Sequence, residues 1–397
     1  MKWFSYLKSD SQQKIKQLNK IKLPKLNSYN QSDLKYLFYF FKKNFKKQND
    51  FKFLETKNKN LPKNNISYIG GDVTLRNEFI EFETSYKYLN HIIKYYHKKD
   101  DISYHQLLNQ RIYTLFIIYQ KNKKLDLTVV TNNKSRVLNK KKSNNIKEDL
   151  NLMKTKGTAN ISSGVTTYEG KMVISRKEEL PKLLIHELIH FLGLDGNFFN
   201  HNNHELFHSK ETFTNYNITS FCVQKNISSF VYESYTEFLS NILNCLFVSL
   251  EIPNGNFSVM IETLELERIY SIYQTAKLLY YFGFENFDSF FLDCKNKLNS
   301  KNRKFFTDTL YLDYTIIRSI MFFSFQEVLE IMEIRNNHLE IKNKKNNFYH
   351  QLQILVNNTL YGNRGYADLL DYFLGQMSKI NDLDMGYTCI DIDPKKI

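Results

Sequence analysis

Proline, glycine and cysteine are all scarce in this chain, at 5, 13 and 4 of its 397 residues. So little proline and glycine excludes collagen-like repeats and flexible linker sequence. The four thiols, Cys222, Cys245, Cys294 and Cys389, contain no C-x-x-C pair. That argues against a structural zinc knuckle and against a disulfide scaffold. Acidic residues number 41 against 55 basic ones, leaving a formal charge of +14. Such a surplus raises nucleic acid as a partner. Yet lysines are spread along the whole chain, as in Lys42-Lys43, Lys140-Lys141-Lys142 and Lys344-Lys345, and a solvated basic surface accounts for them as well. Long apolar runs are missing too. The greasiest stretch, 310–325, is broken by Asp313 and Arg318, and no run reaches the ~18 uncharged residues of a membrane helix. The N-terminus turns charged again at Lys8 before a signal core can build.

What is present describes a globular chain of two or three lobes, 42% apolar and 24% charged. Residues 1–80 are polar around one helical patch, Leu34 to Phe45. From Ser85 to Gln120 the apolar spacing predicts helix, with Leu107, Ile112, Leu115 and Ile118 in the core. Leu125 to Val130 alternates with period two and predicts a strand. A Lys/Asn-rich loop follows, 131–147, then two short β-like pieces, Ala159 to Thr167 and Lys171 to Ser175. After residue 227 the pattern is helical to about 380. The divisions are an N-terminal region 1–80, an α+β lobe 81–226 and a helical lobe 227–397.

Chemistry concentrates in Leu183-Leu184-Ile185-His186-Glu187-Leu188-Ile189-His190-Phe191-Leu192-Gly193, which contains H-E-x-x-H. On a helix His186 and His190 share a face where both imidazoles reach one zinc ion. Glu187 beside them is placed to take a proton from a zinc-held water. Pro181 suits a first helical position, whereas a start at the capping-box pair Ser175 and Glu178 would bury a proline inside the helix. Chance alone yields on the order of 0.03 such matches at this composition. A second match, His204-Glu205-Leu206-Phe207-His208, lies in polar sequence with no apolar run before it. It reads as an insertion after the active helix.

A catalytic zinc takes a third protein ligand and keeps one position open. The extension H-E-x-x-H-x-x-G-x-x-H/D fails, because Gly196 fills the ligand slot and Asp195 falls one residue short. A glutamate from a later helix is the other solution. Phe230-Val231-Tyr232-Glu233-Ser234-Tyr235-Thr236-Glu237-Phe238-Leu239-Ser240 offers Glu233 and Glu237 at i, i+4.

In these residues the chain resembles the gluzincin group of zinc metallopeptidases, whose corresponding helix reads like E-G-x-A-E-Y. The resemblance runs from about Ala159 to Asn244. It implies a zincin-like catalytic lobe, a small sheet plus the active-site helix, followed by a mostly helical C-terminal lobe. It implies Zn2+ held by His186, His190 and Glu233, with Glu187 as general base and Glu237 accepting a ring N–H from a histidine ligand. Ile161-Ser162-Ser163-Gly164 and Met172 to Ser175 would border the cleft, where an extended peptide or protein substrate pairs with the strand edge. Tyr168, His204, His208 and Tyr235 are candidates for stabilising the oxyanion. The style of the chain is similar to uncharacterised metallopeptidase-like proteins of large DNA viruses; with no signal core and no membrane-length apolar run, the expectation is a cytoplasmic or virion location and no membrane.

Two other classes stay open: a zincin fold kept as a non-catalytic structural or virion module, and a nucleic-acid binder working through the basic surface. Neither gains a signature. Gly164, Gly170 and Lys171 miss phosphate-loop spacing, and no G-x-S-x-G occurs. The aromatic–lysine stretches Phe41-Lys42-Lys43-Asn44-Phe45 and Tyr95-Tyr96-His97-Lys98-Lys99 fit core anchors beside solvated lysines equally well.

Overall fold

The computed structural model of the chain describes residues 2–21, 25–45, 54–60, 81–119, 124–131, 164–166, 170–195, 231–281, 284–291, 311–332, 334, 345–362, 364–379 and 384–397. The fold they show is α+β: a small mixed sheet joined to a larger helical body.

Two helices, α1 (Ser9–Lys20) and α2 (Ser32–Asn44), open the chain. Six strands follow among the described residues: β1 (Leu54–Asn60), β2 (Phe82–Tyr88), β3 (His91–His97), β4 (Asp126–Val130), β5 (Gly164–Thr166) and β6 (Lys171–Ile174). Their order is β1-β2-β3-β4-β6-β5. Helix α3 (Ser103–Tyr119) carries the chain from β3 to its parallel neighbour β4, a pairing that two-residue turns cannot make. Register places Ile93 beside Leu127, and Leu127 beside Met172, all three fully buried. β5 pairs antiparallel with β6 and forms one edge of the sheet.

The expected helix from Ser85 to Gln120 is therefore corrected in its first third. Residues 85–97 belong to the β2–β3 hairpin, which turns at Leu89 with φ 52°. Ile92, Ile93, Tyr95 and Tyr96 are strand formers, and burial along β3 alternates strictly. Aromatic pairs such as Tyr95-Tyr96 satisfy either period, so spacing alone favoured the wrong one. Within α3 itself Leu107, Ile112 and Leu115 are buried and Ile118 half-buried. Phe41 and Tyr95 are also core residues, so the aromatics beside those lysines anchor the fold.

Helix α4 (Leu180–Leu192) contains the H-E-x-x-H motif and is buried along its whole length. It begins with Pro181 in its first turn, where a missing N–H costs nothing. It ends at Gly193, whose left-handed backbone (φ 68°) lets its own N–H and that of Leu194 return to His190 and Ile189 carbonyls. Gly170, also left-handed, opens β6 against the Lys124 carbonyl, where a Cβ would come within 2.3 Å. No other residue fits there without displacing the strand.

The helical body contains α5 (Val231–Glu251), α6 (Phe257–Tyr281), α7 (Phe287–Phe291), α8 (Tyr311–Phe323), α9 (Phe325–Met332), α10 (Lys345–Gly362) and α11 (Arg364–Met377). Helix α5 lies at its centre, packed by α4, α6 and α8, and every residue from Ser234 to Ser249 is buried. Polar side chains on these buried helices have partners in the C-terminal segment 384–397, which runs between them largely without strand neighbours. Asn241 donates to the Tyr387 carbonyl, Asn244 to that of Ile390, and Gln274 to that of Gly386. One carboxylate oxygen of Glu267 accepts the N–H groups of Cys389 and Ile390. These bonds satisfy backbone groups that burial would otherwise strand. At its far end the segment bridges Leu7 to Ile392, and Lys8 pairs with Asp391 at 2.5 Å. No helix among the described residues is long and apolar enough to cross a membrane.

Candidate metal centre

Helices α4 and α5 pack side by side, and their facing residues build one cluster. His186 and His190, one turn apart on α4, bring their Nε2 atoms to 3.2 Å. From α5, a Glu233 carboxylate oxygen reaches His186 Nε2 at 3.4 Å and His190 Nε2 at 3.5 Å. The three atoms form a nearly equilateral triangle. Ligand atoms on a tetrahedral zinc, bonded at ~2.1 Å, stand about 3.4 Å apart. Among the described residues this is the one group of histidine, cysteine and acidic side chains able to hold a metal ion. Its donor set, two imidazoles and one carboxylate, suits zinc at a site with an open fourth position. Glu233 is its most open member, its side chain 22% exposed against 10% for His186 and 7% for His190.

Behind the triangle each imidazole has an acidic partner on its other nitrogen. Glu237 Oε1 stands 2.9 Å from His186 Nδ1, as its position one turn beyond Glu233 implies. Asp195 Oδ2 stands 2.5 Å from His190 Nδ1. When the imidazole is neutral, a carboxylate at that distance favours the proton on Nδ1 and leaves Nε2 toward the triangle. Asp195 is fixed in turn, since Tyr349 on α10 donates to its backbone carbonyl at 2.5 Å.

Charge in the cluster follows from its packing. Burial opposes charge on His190, but Glu233 and Asp195 outweigh it and raise the imidazole well above its usual range. Burial likewise favours the neutral form of Glu237, yet Lys182, His186 and Arg318 hold the carboxyl well below the ordinary value. Lys182 contacts Glu237 Oε2 directly, and Arg318 stands 3.6 Å from the same oxygen.

Glu187 lies beside His186 on α4 and is buried. Its carboxylate accepts a 2.5 Å hydrogen bond from Thr166 Oγ1 on the edge strand β5. Tyr235, offered as an oxyanion stabiliser, is buried with its ring against Phe348, centroids 4.9 Å apart. Two residues after Glu233, it falls on another face of α5. Tyr168, His204, His208 and the second H-E-x-x-H motif lie outside the described residues, as do Cys222 and Cys294.

Sequence reasoning passed over Asp195, Lys182, Arg318 and Thr166 as parts of this cluster. Signals for three of them existed. Lys182 is a lysine one turn before His186 on a helix whose other polar residues are the motif's own, Arg318 interrupts an apolar run, and Asp195 follows soon after the helix end. Nothing in the local pattern marks Thr166.

Comparison with known proteins adds one relationship. No family model matches the chain, and no solved structure matches it. An uncharacterized protein of Acanthamoeba polyphaga mimivirus is 24% identical over 246 residues, 61% of this chain and 56% of that protein. The match spans about half the length of that relative, and it supports a viral relationship for the chain.

Proposed function

We propose that the chain is a zinc-dependent peptidase of gluzincin type. One observation carries the reading: Glu233, singled out by resemblance alone, arrives 3.4 and 3.5 Å from the two imidazole nitrogens of the H-E-x-x-H motif. His186, His190 and Glu233 are the ligands. A zinc ion bound there supplies Lewis acidity, lowering the pKa of a water toward 7 and polarising a peptide carbonyl.

The chain's own residues do the remaining work. Glu187 accepts a proton from the attacking water on its carboxylate and delivers it to the leaving amide nitrogen. Thr166 holds that carboxylate at one oxygen. Glu237 and Asp195 keep both imidazoles in the tautomer that presents Nε2. Edge strand β5 ends at Thr166, so a peptide adding to its outer side would lie beside Glu187.

Metal content of the purified chain tests the assignment. Stoichiometric zinc should persist in His204→Ala and vanish in His186→Ala; the reverse pattern moves the site to the second motif. Glu233→Ala should weaken zinc more severely than Glu237→Ala, because it removes a direct bond. Glu187→Gln should keep zinc while ending cleavage of a peptide library. A wild-type chain that holds zinc yet cleaves no member of a broad library would favour a non-catalytic role for the same fold.

A further inference from the structure

The two carboxylate oxygens of Glu237 face in different directions. Oε1 stands by His186 Nδ1 at 2.9 Å, while Oε2 meets the ammonium of Lys182 and, at 3.6 Å, the Arg318 guanidinium. Both cations are buried, Lys182 on α4 and Arg318 on α8.

Both cations share a seat. The Tyr387 ring lies 4.7 Å from Lys182 Nζ and 5.4 Å from the Arg318 guanidinium carbon. Arg318 also donates to the Tyr387 carbonyl at 3.0 Å, and through Nε to Ser271 on α6 at 3.1 Å. The Tyr387 backbone is pinned by Asn241, one helical turn after Glu237. Its neighbours Cys389 and Ile390 are pinned by Glu267. The C-terminal segment thus fixes the cations, the cations fix one oxygen of Glu237, and the other oxygen is left turned to the imidazole.

We infer that Lys182 and Arg318, seated on Tyr387 of the C-terminal segment, are positioning residues of the metal centre and act on His186 through Glu237. This rests on the zinc-site reading above. Glu237 is a short bridge in a packed interior, and a carboxylate clamped at one oxygen loses the freedom to rotate away from the ring at the other. Like-charge repulsion acts in the opposite direction, since a cation near a zinc site weakens metal binding. The two effects predict opposite signs, which makes the inference testable.

The experiment is a double-mutant cycle on the full chain, read as zinc affinity by competition with a chromophoric chelator. Arg318→Met should weaken zinc about 10-fold, within the range of outer-shell losses. In a Glu237→Gln background the same change should cost less than about 3-fold, because the bridge it acts through is gone. Arg318→Lys, which keeps the charge, should recover most of the loss. Equal losses in both backgrounds, unchanged affinity beside a lowered melting temperature, or tighter zinc would each overturn the inference. If Arg318→Met does not fold, Lys182→Met run through the same cycle decides. A wild type with no zinc affinity would instead overturn the parent reading, so the two failures are distinguishable.

Discussion

Asp195 brings a carboxylate oxygen to 2.5 Å from His190 Nδ1, although it stands five residues further along the chain and beyond the end of the helix. The left-handed turn at Gly193 makes this possible, folding the chain back so that Asp195 lies under the imidazole instead of continuing outward. The residue that falls one position short of a ligand slot is well placed to orient the His190 imidazole. Asp195→Ala should therefore cost roughly 10–100-fold in zinc affinity, the usual scale for losing an imidazole's acidic partner. Competition titration of the purified variant checks it, and wild-type affinity would show that His190 needs no such partner.

Thr166 and Glu187 make the second testable contact. A general base contributes about 10²–10⁴-fold to a hydrolytic rate, and its placement governs how much of that is realised. Thr166→Val removes the donor from the Glu187 carboxylate while keeping the β-branched shape of the edge strand. The expected outcome is unchanged zinc content, little change in KM and a kcat lowered about 10-fold. Steady-state kinetics on any cleaved peptide decide, and a change confined to KM would assign Thr166 to substrate binding.

Stability depends on a different ion pair. Arg111 of α3 makes a two-pronged bond to Glu251 at the end of α5, both contacts 2.7 Å, and a third bond to Asn244 at 2.9 Å. Both charged groups are almost fully buried, and the pair joins the α+β part of the fold to the helical body. Arg111→Met leaves Glu251 buried without its partner and should destabilise by about 3–5 kcal/mol. The double variant Arg111→Met/Glu251→Met should recover much of that loss, since two apolar side chains leave no stranded charge. Urea unfolding of the two variants measures the difference; equal losses would show that the pair's packing, not its charge, is what matters.

Acid sensitivity should arise where α3 packs on the β2–β3 hairpin. His105 is buried among Tyr95, Tyr86 and His97, and burial, reinforced by His97, lowers its pKa from 6.5 to about 3. Burial lowers His97 as well. In the unfolded chain His105 takes a proton as pH falls through 6.5, whereas the folded chain resists protonation until about 3. Unfolding then binds more protons, so stability is full above 6.5 and declines steadily as pH falls from 6.5 toward 3. His105→Phe, which keeps the stacking on Tyr95, should flatten the decline in melting temperature between pH 7 and pH 4.5. Parallel curves for variant and wild type would place the acid sensitivity elsewhere.

Local chemistry made several features legible before any tertiary information. Helix α4 announced itself through Pro181 and its apolar face, and the spacing of His186 and His190 follows from one helical turn. The strand at Asp126–Val130 and the helix at Ser32–Asn44 are likewise set by short-range periodicity. Where two periods fit the same residues, as at Tyr95-Tyr96, sequence had no means of choosing, and pairing with β2 and β4 decided for strand.

The polar interior was beyond sequence for a further reason. A buried lysine, arginine or asparagine reads as a surface residue until its partner is known, and here the partners lie far away in the chain. Arg318 finds Tyr387 and Glu237, Asn244 finds Ile390, and Thr166 finds Glu187. Sequence by itself pointed to His186, Glu187 and His190, residue types able to ligate a metal and accept a proton. Only the tertiary structure decided that Glu233 closes the triangle, that Asp195 and Glu237 back its two imidazoles, and that the C-terminal segment underlies them, because those distances depend on how α4, α5 and α8 pack and not on any local preference.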